Sequence, residues 1–162
     1  MKLLKVSLWL IFMLYIAVLV KVILIKHLPL SFLIQNLKLG LNFNHINLIP
    51  FATIVDYFTL ENKLTSVENL VGNVIIFIPL GFLLPILIEK FRKTTNLLLI
   101  SFGFSLSFET IQLLFPMLGS FDVDDLILNT FGALLGYLGY ITQRSLHKAK
   151  CTAKCTYFIN SI

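Results

Sequence analysis

Charge is scarce in this sequence of 162 residues: 13% are Asp, Glu, Lys or Arg, and 57% are hydrophobic. A soluble domain carries about 25% charged and about 45–50% apolar residues. With a mean hydropathy of +0.90, a water-soluble globule and a disordered chain are both excluded. Cysteine is nearly absent as well. Cys151 and Cys155 stand four apart near the C-terminus, a spacing that is neither a disulfide framework nor a zinc signature. They read as reduced bystanders in a cytosolic tail. His27, His45 and His147 are scattered along the chain, so no metal constellation can be built from them. No nucleophile–base pair or phosphate-binding loop is present. The net charge of +5 therefore has to be read as topology before it is read as a nucleic-acid footprint.

What the sequence does have is long apolar runs. The first spans Val6 to Ile25, interrupted only by Lys21. About 20 residues at ~1.5 Å each cross a hydrocarbon core of ~30 Å. Lys2 and Lys5 precede it and no small-residue cleavage site follows, which predicts an uncleaved anchor with Lys21 and Lys26 snorkelling to the far interface. The second run contains Asn73, Pro79, Gly81 and Pro85, a pattern for a kinked, internally packed helix. The third carries Glu109 and Gln112, and Asp122, Asp124 and Asp125 lead into the fourth. The expectation is a single all-α membrane domain over residues 1–162. It is a multi-pass, four-transmembrane-helix bundle, with spans at about 6–25, 68–88, 97–118 and 124–142. A long outer loop joins helices 1 and 2, and its stretch Leu28–Leu41 could lie in the interface as a short helix.

Sidedness follows from the basic residues. Lys2 and Lys5, then Lys90, Arg92 and Lys93, then Arg144, Lys148, Lys150 and Lys154 fall in regions that alternate correctly for four spans. Glu89 is the acidic residue among them. The positive-inside rule puts both termini in the cytoplasm of a cell-membrane protein. The 27–66 connection and the Asp122–Asp125 turn then face outward, and nucleic acid is not an expected partner.

Polar residues inside the spans carry the functional signal. Asn69 and Asn73 share one face of the second span, and Glu109 and Gln112 lie three apart in the third, with Ser101 and Ser105 extending that stripe. Asp122, Asp125 and Asn129 fall at i, i+3 and i+7 on the fourth. Gly132 and Gly136 continue that face and would allow close helix approach. Three helices thus bring Asn73, Glu109, Gln112, Asp122, Asp125 and Asn129 to one outer depth, as a convergent binding cluster. Each residue also has a plainer reading. Asn73 suits an interhelical hydrogen bond, and Asp122 and Asp124 suit caps on the fourth helix. Glu109 is harder to explain away, because a carboxylate so deep in a span costs several kcal/mol unless protonated or partnered. The cluster suits a divalent cation on Asp122, Asp125 and Glu109, a hydrogen-bonded sugar or peptide, or a proton relay. No resident cofactor other than such a cation is expected.

Four segments carry a family resemblance. They are Asn47-Leu-Ile-Pro-Phe51, Gly72-Asn-Val-Ile-Ile-Phe-Ile-Pro-Leu-Gly81, Ser107-Phe-Glu-Thr-Ile-Gln112 and Phe121-Asp-Val-Asp-Asp-Leu-Ile-Leu-Asn-Thr-Phe-Gly132. In this order they resemble the VanZ-like family of small bacterial membrane proteins. Its name-giving member is associated with low-level teicoplanin resistance. The resemblance implies an envelope protein whose outward polar site engages cell-surface or lipid-linked cell-wall material, such as peptidoglycan precursors. Membrane lipids are its surroundings, and a second copy is a further partner to test. A non-enzymatic role is the leading expectation. The alternative is a metal-assisted intramembrane enzyme on a polyprenyl-linked or other lipid, with Glu109 as general acid or base. Two departures stand out. Many family members carry an Arg where this chain has Gly119, and the segment after Cys151 is too short for a fifth span.

Overall fold

A computed structural model describes residues 2–25, 40, 46–59 and 63–159. Helix α1 (Lys2–Val20) ends in a wider π-helical turn over Lys21–Ile25. A two-residue strand β1 (Ile46–Asn47) and a short helix α2 (Ala52–Thr59) follow. Helix α3 (Lys63–Leu87) leads through a 3₁₀ turn, Glu89–Arg92, into α4 (Thr94–Leu114). A second 3₁₀ turn, Pro116–Leu118, and strand β2 (Phe121–Asp122) precede the last helix, α5 (Val123–Ile159). Among the described residues the fold is all-α apart from β1 and β2, which pair in parallel, Ile46 with Phe121 and Asn47 with Asp122.

Among the described residues, three helices are long and apolar enough to cross a membrane: Leu3–Ile25, Asn69–Leu87 and Thr94–Leu114. This agrees with a membrane protein. The helix limits differ from the spans read in the sequence: the first three long helices begin earlier, at Lys2, Lys63 and Thr94, and two ends also move. The third helix stops at Leu114 rather than 118, because Pro116 has no amide to continue it. The fourth does not stop near 142 but runs on to Ile159. Its second half holds no helix breaker, and every residue from 141 to 150 is exposed. The expected interfacial stretch 28–41 lies outside the described residues, Gly40 excepted.

Helices α3 and α5 form the spine, running side by side in the same direction. Cβ atoms placed on Gly132 and Gly136 would lie 2.1 Å from the Val74 carbonyl oxygen and 1.9 Å from that of Ile78. One on Gly81 would lie 1.8 Å from the Ala133 oxygen. Only bare Cα positions permit such contact, with Cα–H groups against carbonyls across the interface. The glycine face of α5 therefore meets the second long helix of the bundle, and its other flank meets α4. Around this spine Phe77, Leu80, Leu84, Leu97, Phe108 and Tyr137 form the core, joined by Phe12 and Leu19 from α1 and Ile23 from the turn after it.

Pro79 and Pro85 both lie within α3, which remains continuous. The Tyr15 hydroxyl donates to the Ile76 carbonyl at 2.7 Å, three residues before Pro79, and so ties α1 to the stretch that proline weakens. At the opposite end of the bundle the Tyr137 hydroxyl donates to the Arg92 carbonyl at 2.6 Å and pins the α3–α4 turn to α5. Large apolar side chains are exposed on the outside, including Leu10, Leu14 and Val18 of α1, Ile75 of α3, Leu99 and Phe102 of α4, and Phe131 and Leu138 of α5. Such a surface is unfavourable in water and favourable in hydrocarbon.

Candidate functional site

The end of α1, the start of α3, the end of α4 and the start of α5 meet around a cavity of about 250 Å³. Its wall comprises Lys21, Val22 and Ile23 from the π-helical turn, and Asn69, Gly72, Asn73 and Ile76 from α3. Glu109 and Gln112 from α4, and Asp125 and Asn129 from α5, complete it. Helical spacing explains the convergence: residues three and four apart share a face, so α3, α4 and α5 each contribute one polar pair to the same space. Five of the six residues singled out in the sequence line this cavity.

Hydrogen bonds knit the wall. Asn73 donates its amide to Asp125 Oδ1 at 2.5 Å, joining α3 to α5. Asn129 donates to the Ser105 hydroxyl at 2.9 Å, joining α5 to α4. Gln112 is 4% exposed and donates to the Ile23 carbonyl at 3.3 Å, so its side chain links α4 to the turn after α1. Glu109 is 1% exposed, and its Oε2 accepts the backbone amide of Asp122 at 2.7 Å. Gly119 has φ 153°, and a Cβ there would meet the Gln112 amide nitrogen at 2.8 Å. The position suits glycine.

Asp122 goes elsewhere. It precedes α5, so the helical i, i+3 relation to Asp125 does not hold. Its Oδ1 accepts the Asp124 amide at 2.9 Å, which makes it the N-terminal cap of the helix. The same oxygen accepts the Asn47 amide at 3.0 Å, and Oδ2 accepts the Thr53 hydroxyl at 2.6 Å. Asp124, fully buried, accepts the backbone amides of Phe51 at 2.5 Å and Ile54 at 3.2 Å. Together these contacts hold residues 46–54 against the head of α5 as a cap beside the cavity. Within the cap Phe51 sits at φ 68°, in the left-handed region that non-glycine residues seldom occupy. The cation triad of Glu109, Asp122 and Asp125 is not assembled. Among the described residues no group of three His, Cys, Asp or Glu side chains is placed to hold a metal ion.

Sequence reasoning missed three participants. Lys21 reads as a snorkelling anchor yet lines the cavity, and a single lysine at a helix end gives no other signal. Asn47 and Thr53 belong to the cap; the motif Asn47–Phe51 marks the segment without saying what it contacts.

The sequence matches VanZ/LLP1 over residues 12–144, a range that contains the whole cavity and the cap. The chain belongs to the VanZ/LLP1 family. It is 32% identical over 108 residues to Protein VanZ of Enterococcus faecium, a match covering 65% of this chain. That match takes in 58% of the relative's own length. No solved structure matches this VanZ/LLP1 protein.

Proposed function

We propose that this VanZ/LLP1 protein is a four-span envelope protein with both termini in the cytoplasm. Its outward-facing polar cavity engages the head-group region of lipid-linked or other cell-surface material, and so contributes to teicoplanin resistance. The observation that carries the reading is that α3, α4 and α5 place Asn73, Glu109, Gln112, Asp125 and Asn129 around one cavity. Polar groups at membrane depth are expensive unless they serve a site or satisfy one another.

The fourth span is α5. Its hydropathy is diluted by the glycines that pack on α3. Its outer face still presents Phe131, Leu135, Leu138 and Ile141, an apolar stripe suited to lipid. The cavity's size narrows the role. Drug-sized ligands occupy pockets of roughly 300–1,000 Å³, so a head group fits whereas a glycopeptide or a whole cell-wall precursor does not.

Two measurements test this. Single cysteines at Ser120 should label from outside intact cells, whereas those at Lys93 or Lys148 should not; the reverse pattern overturns the sidedness. In a susceptible Gram-positive host in which the wild type raises the teicoplanin inhibitory concentration, Glu109→Ala and Asp125→Ala should abolish the effect. Gly72→Leu should do so too, because a Cβ at Gly72 meets nothing within 4 Å and a side chain there enters the open space. Wild-type resistance in all three variants rejects the cavity as the site.

A further inference from the structure

The cavity is closed on one side and open on another. Glu109 and Gln112 of α4 and Asn129 of α5 are buried, so the space ends blindly against those helices. On the opposite side Lys21 and Val22 of the π-helical turn and Asn69 and Gly72 of α3 are exposed. A Cβ on Gly72 meets nothing within 4 Å. These four residues frame a mouth between the end of α1 and the start of α3. The mouth is lateral. Each of its residues lies inside a stretch long and apolar enough to cross a membrane, Leu3–Ile25 or Asn69–Leu87. Helix α3 begins well before Gly72, at Lys63, roughly 13 Å further along the axis at ~1.5 Å per residue. The gap therefore opens on the flank of that helix and not at its end. Val71 and Ile75 beside Gly72 are 47% and 57% exposed, and Val22 is 46% exposed, so the mouth is set in an apolar surface of the kind that hydrocarbon covers. Lys21 is the cationic residue on the cavity wall, and the Asn69 carboxamide shares its opening. The two carboxylates of the wall already hold protein donors, Glu109 the Asp122 amide and Asp125 the Asn73 amide.

We propose that a phosphate-bearing membrane lipid enters this cavity sideways, through the gap between α1 and α3. Lys21 and Asn69 hold its phosphate at the mouth, and its chains stay in the bilayer beside Val22, Val71 and Ile75. This deepens the head-group reading above and rests on it: of lipid-linked and other cell-surface material it selects the lipid-linked form. An ammonium at a membrane-facing opening is costly without an anion. A phosphate offers only acceptor oxygens at its charged end, which suit the N–H donors of lysine and of a carboxamide. Glu109 and Asp125 repel an anion that moves further in, so the phosphate stops at the mouth and only the group beyond it reaches the blind end. A flank opening admits a ligand that diffuses in the plane of the membrane without drawing its chains through water.

Two measurements on the full chain test the route and the ligand. For the route, a nitroxide is attached at Gly72→Cys in a chain carrying Cys151→Ser and Cys155→Ser, reconstituted in phospholipid bilayers. Its collisions with oxygen, which concentrates in hydrocarbon, should exceed those with a water-soluble nickel chelate, as at Leu10→Cys and unlike Ser120→Cys. Nickel-dominated collisions at Gly72 overturn lateral entry. For the ligand, phosphatidic acid and diacylglycerol with identical chains are offered in detergent, and retained lipid is counted by native mass spectrometry. Lys21→Gln should weaken phosphatidic acid binding about tenfold, the effect of one lost charge-assisted hydrogen bond, and leave diacylglycerol unchanged. Lys93→Gln, at the opposite end of the bundle, should leave both unchanged. Gly72→Leu should block the mouth and repeat the loss, which keeps the test intact should the lysine variant fail to fold. Equal loss from Lys21→Gln and Lys93→Gln, or none from Lys21→Gln and Gly72→Leu, overturns the inference. Chain-free glycerol phosphate separates the sources: it should not displace the lipid, and displacement assigns a water-borne phosphate and overturns the lipid. If the inference fails while Glu109→Ala still abolishes resistance, the route and ligand are wrong and the functional reading survives. Lys21-dependent binding with resistance untouched by Lys21→Gln and Gly72→Leu upholds the ligand and rejects the resistance role.

Discussion

Asp124 and Asp125 are neighbours in the chain, yet they belong to different structures. Asp124 is fully buried and takes two backbone amides of the cap, from Phe51 and Ile54. Asp125, about 100° further round the helix, takes the Asn73 amide and faces the cavity. In the cap, carboxylates meet backbone amides and short side chains from residues 47–54, an arrangement that fixes a loop. In the cavity, polar side chains of three helices surround an open space, an arrangement that leaves room for something else. Acidic residues at a helix start thus divide into structural and functional roles by rotation about one axis. Glu109 touches both regions, lining the cavity and accepting the Asp122 amide.

The substitution that should strike both regions hardest is Gly136→Leu. A Cβ there would sit 1.9 Å from the Ile78 carbonyl, so α3 and α5 must separate. The expected cost exceeds about 3 kcal/mol, the upper end for overpacking, and shows as loss of the monodisperse protein on size exclusion. Next comes Asp124→Ala, which removes the acceptor for two cap amides and should cost about 2–4 kcal/mol. It should also open residues 48–55 to protease. Asp125→Ala should leave that segment as resistant as in the wild type; equal cleavage of the two would erase the distinction between cap and cavity. Thr53→Val removes one hydroxyl between Asn47 and Asp122 and should lower stability by about 1 kcal/mol, read as a small fall in Tm. Asp125→Asn is smallest. It keeps an acceptor for Asn73, and an interhelical hydrogen bond of this kind contributes about 0.6 kcal/mol. Tm should barely move while head-group binding falls.

The convergence of the second, third and fourth polar faces was legible in the sequence because helical periodicity fixes which residues share a side. Asn73, Glu109, Gln112, Asp125 and Asn129 needed only that rule and the sense of each span. Asp122 misled it, since the period applies only inside a helix and α5 starts at Val123. The cap was illegible for a related reason. Asn47 and Thr53 reach Asp122 across 75 and 69 residues, and no local pattern records a contact between a loop and a helix start so far apart in the chain.

Composition and apolar run length were sufficient to determine a helical membrane protein, because in hydrocarbon every backbone amide must be satisfied within its own helix. The four motifs in order were enough to point to the family. Which carboxylate became a cap and which a cavity wall was decided only in three dimensions. The same holds for the glycines. Gly132 and Gly136 read as a contact surface in the chain, but their partner, the backbone of α3 at Val74 and Ile78, emerged only when the helices packed. A side chain's environment is set by the neighbours that close around it, and those neighbours come from distant parts of the sequence.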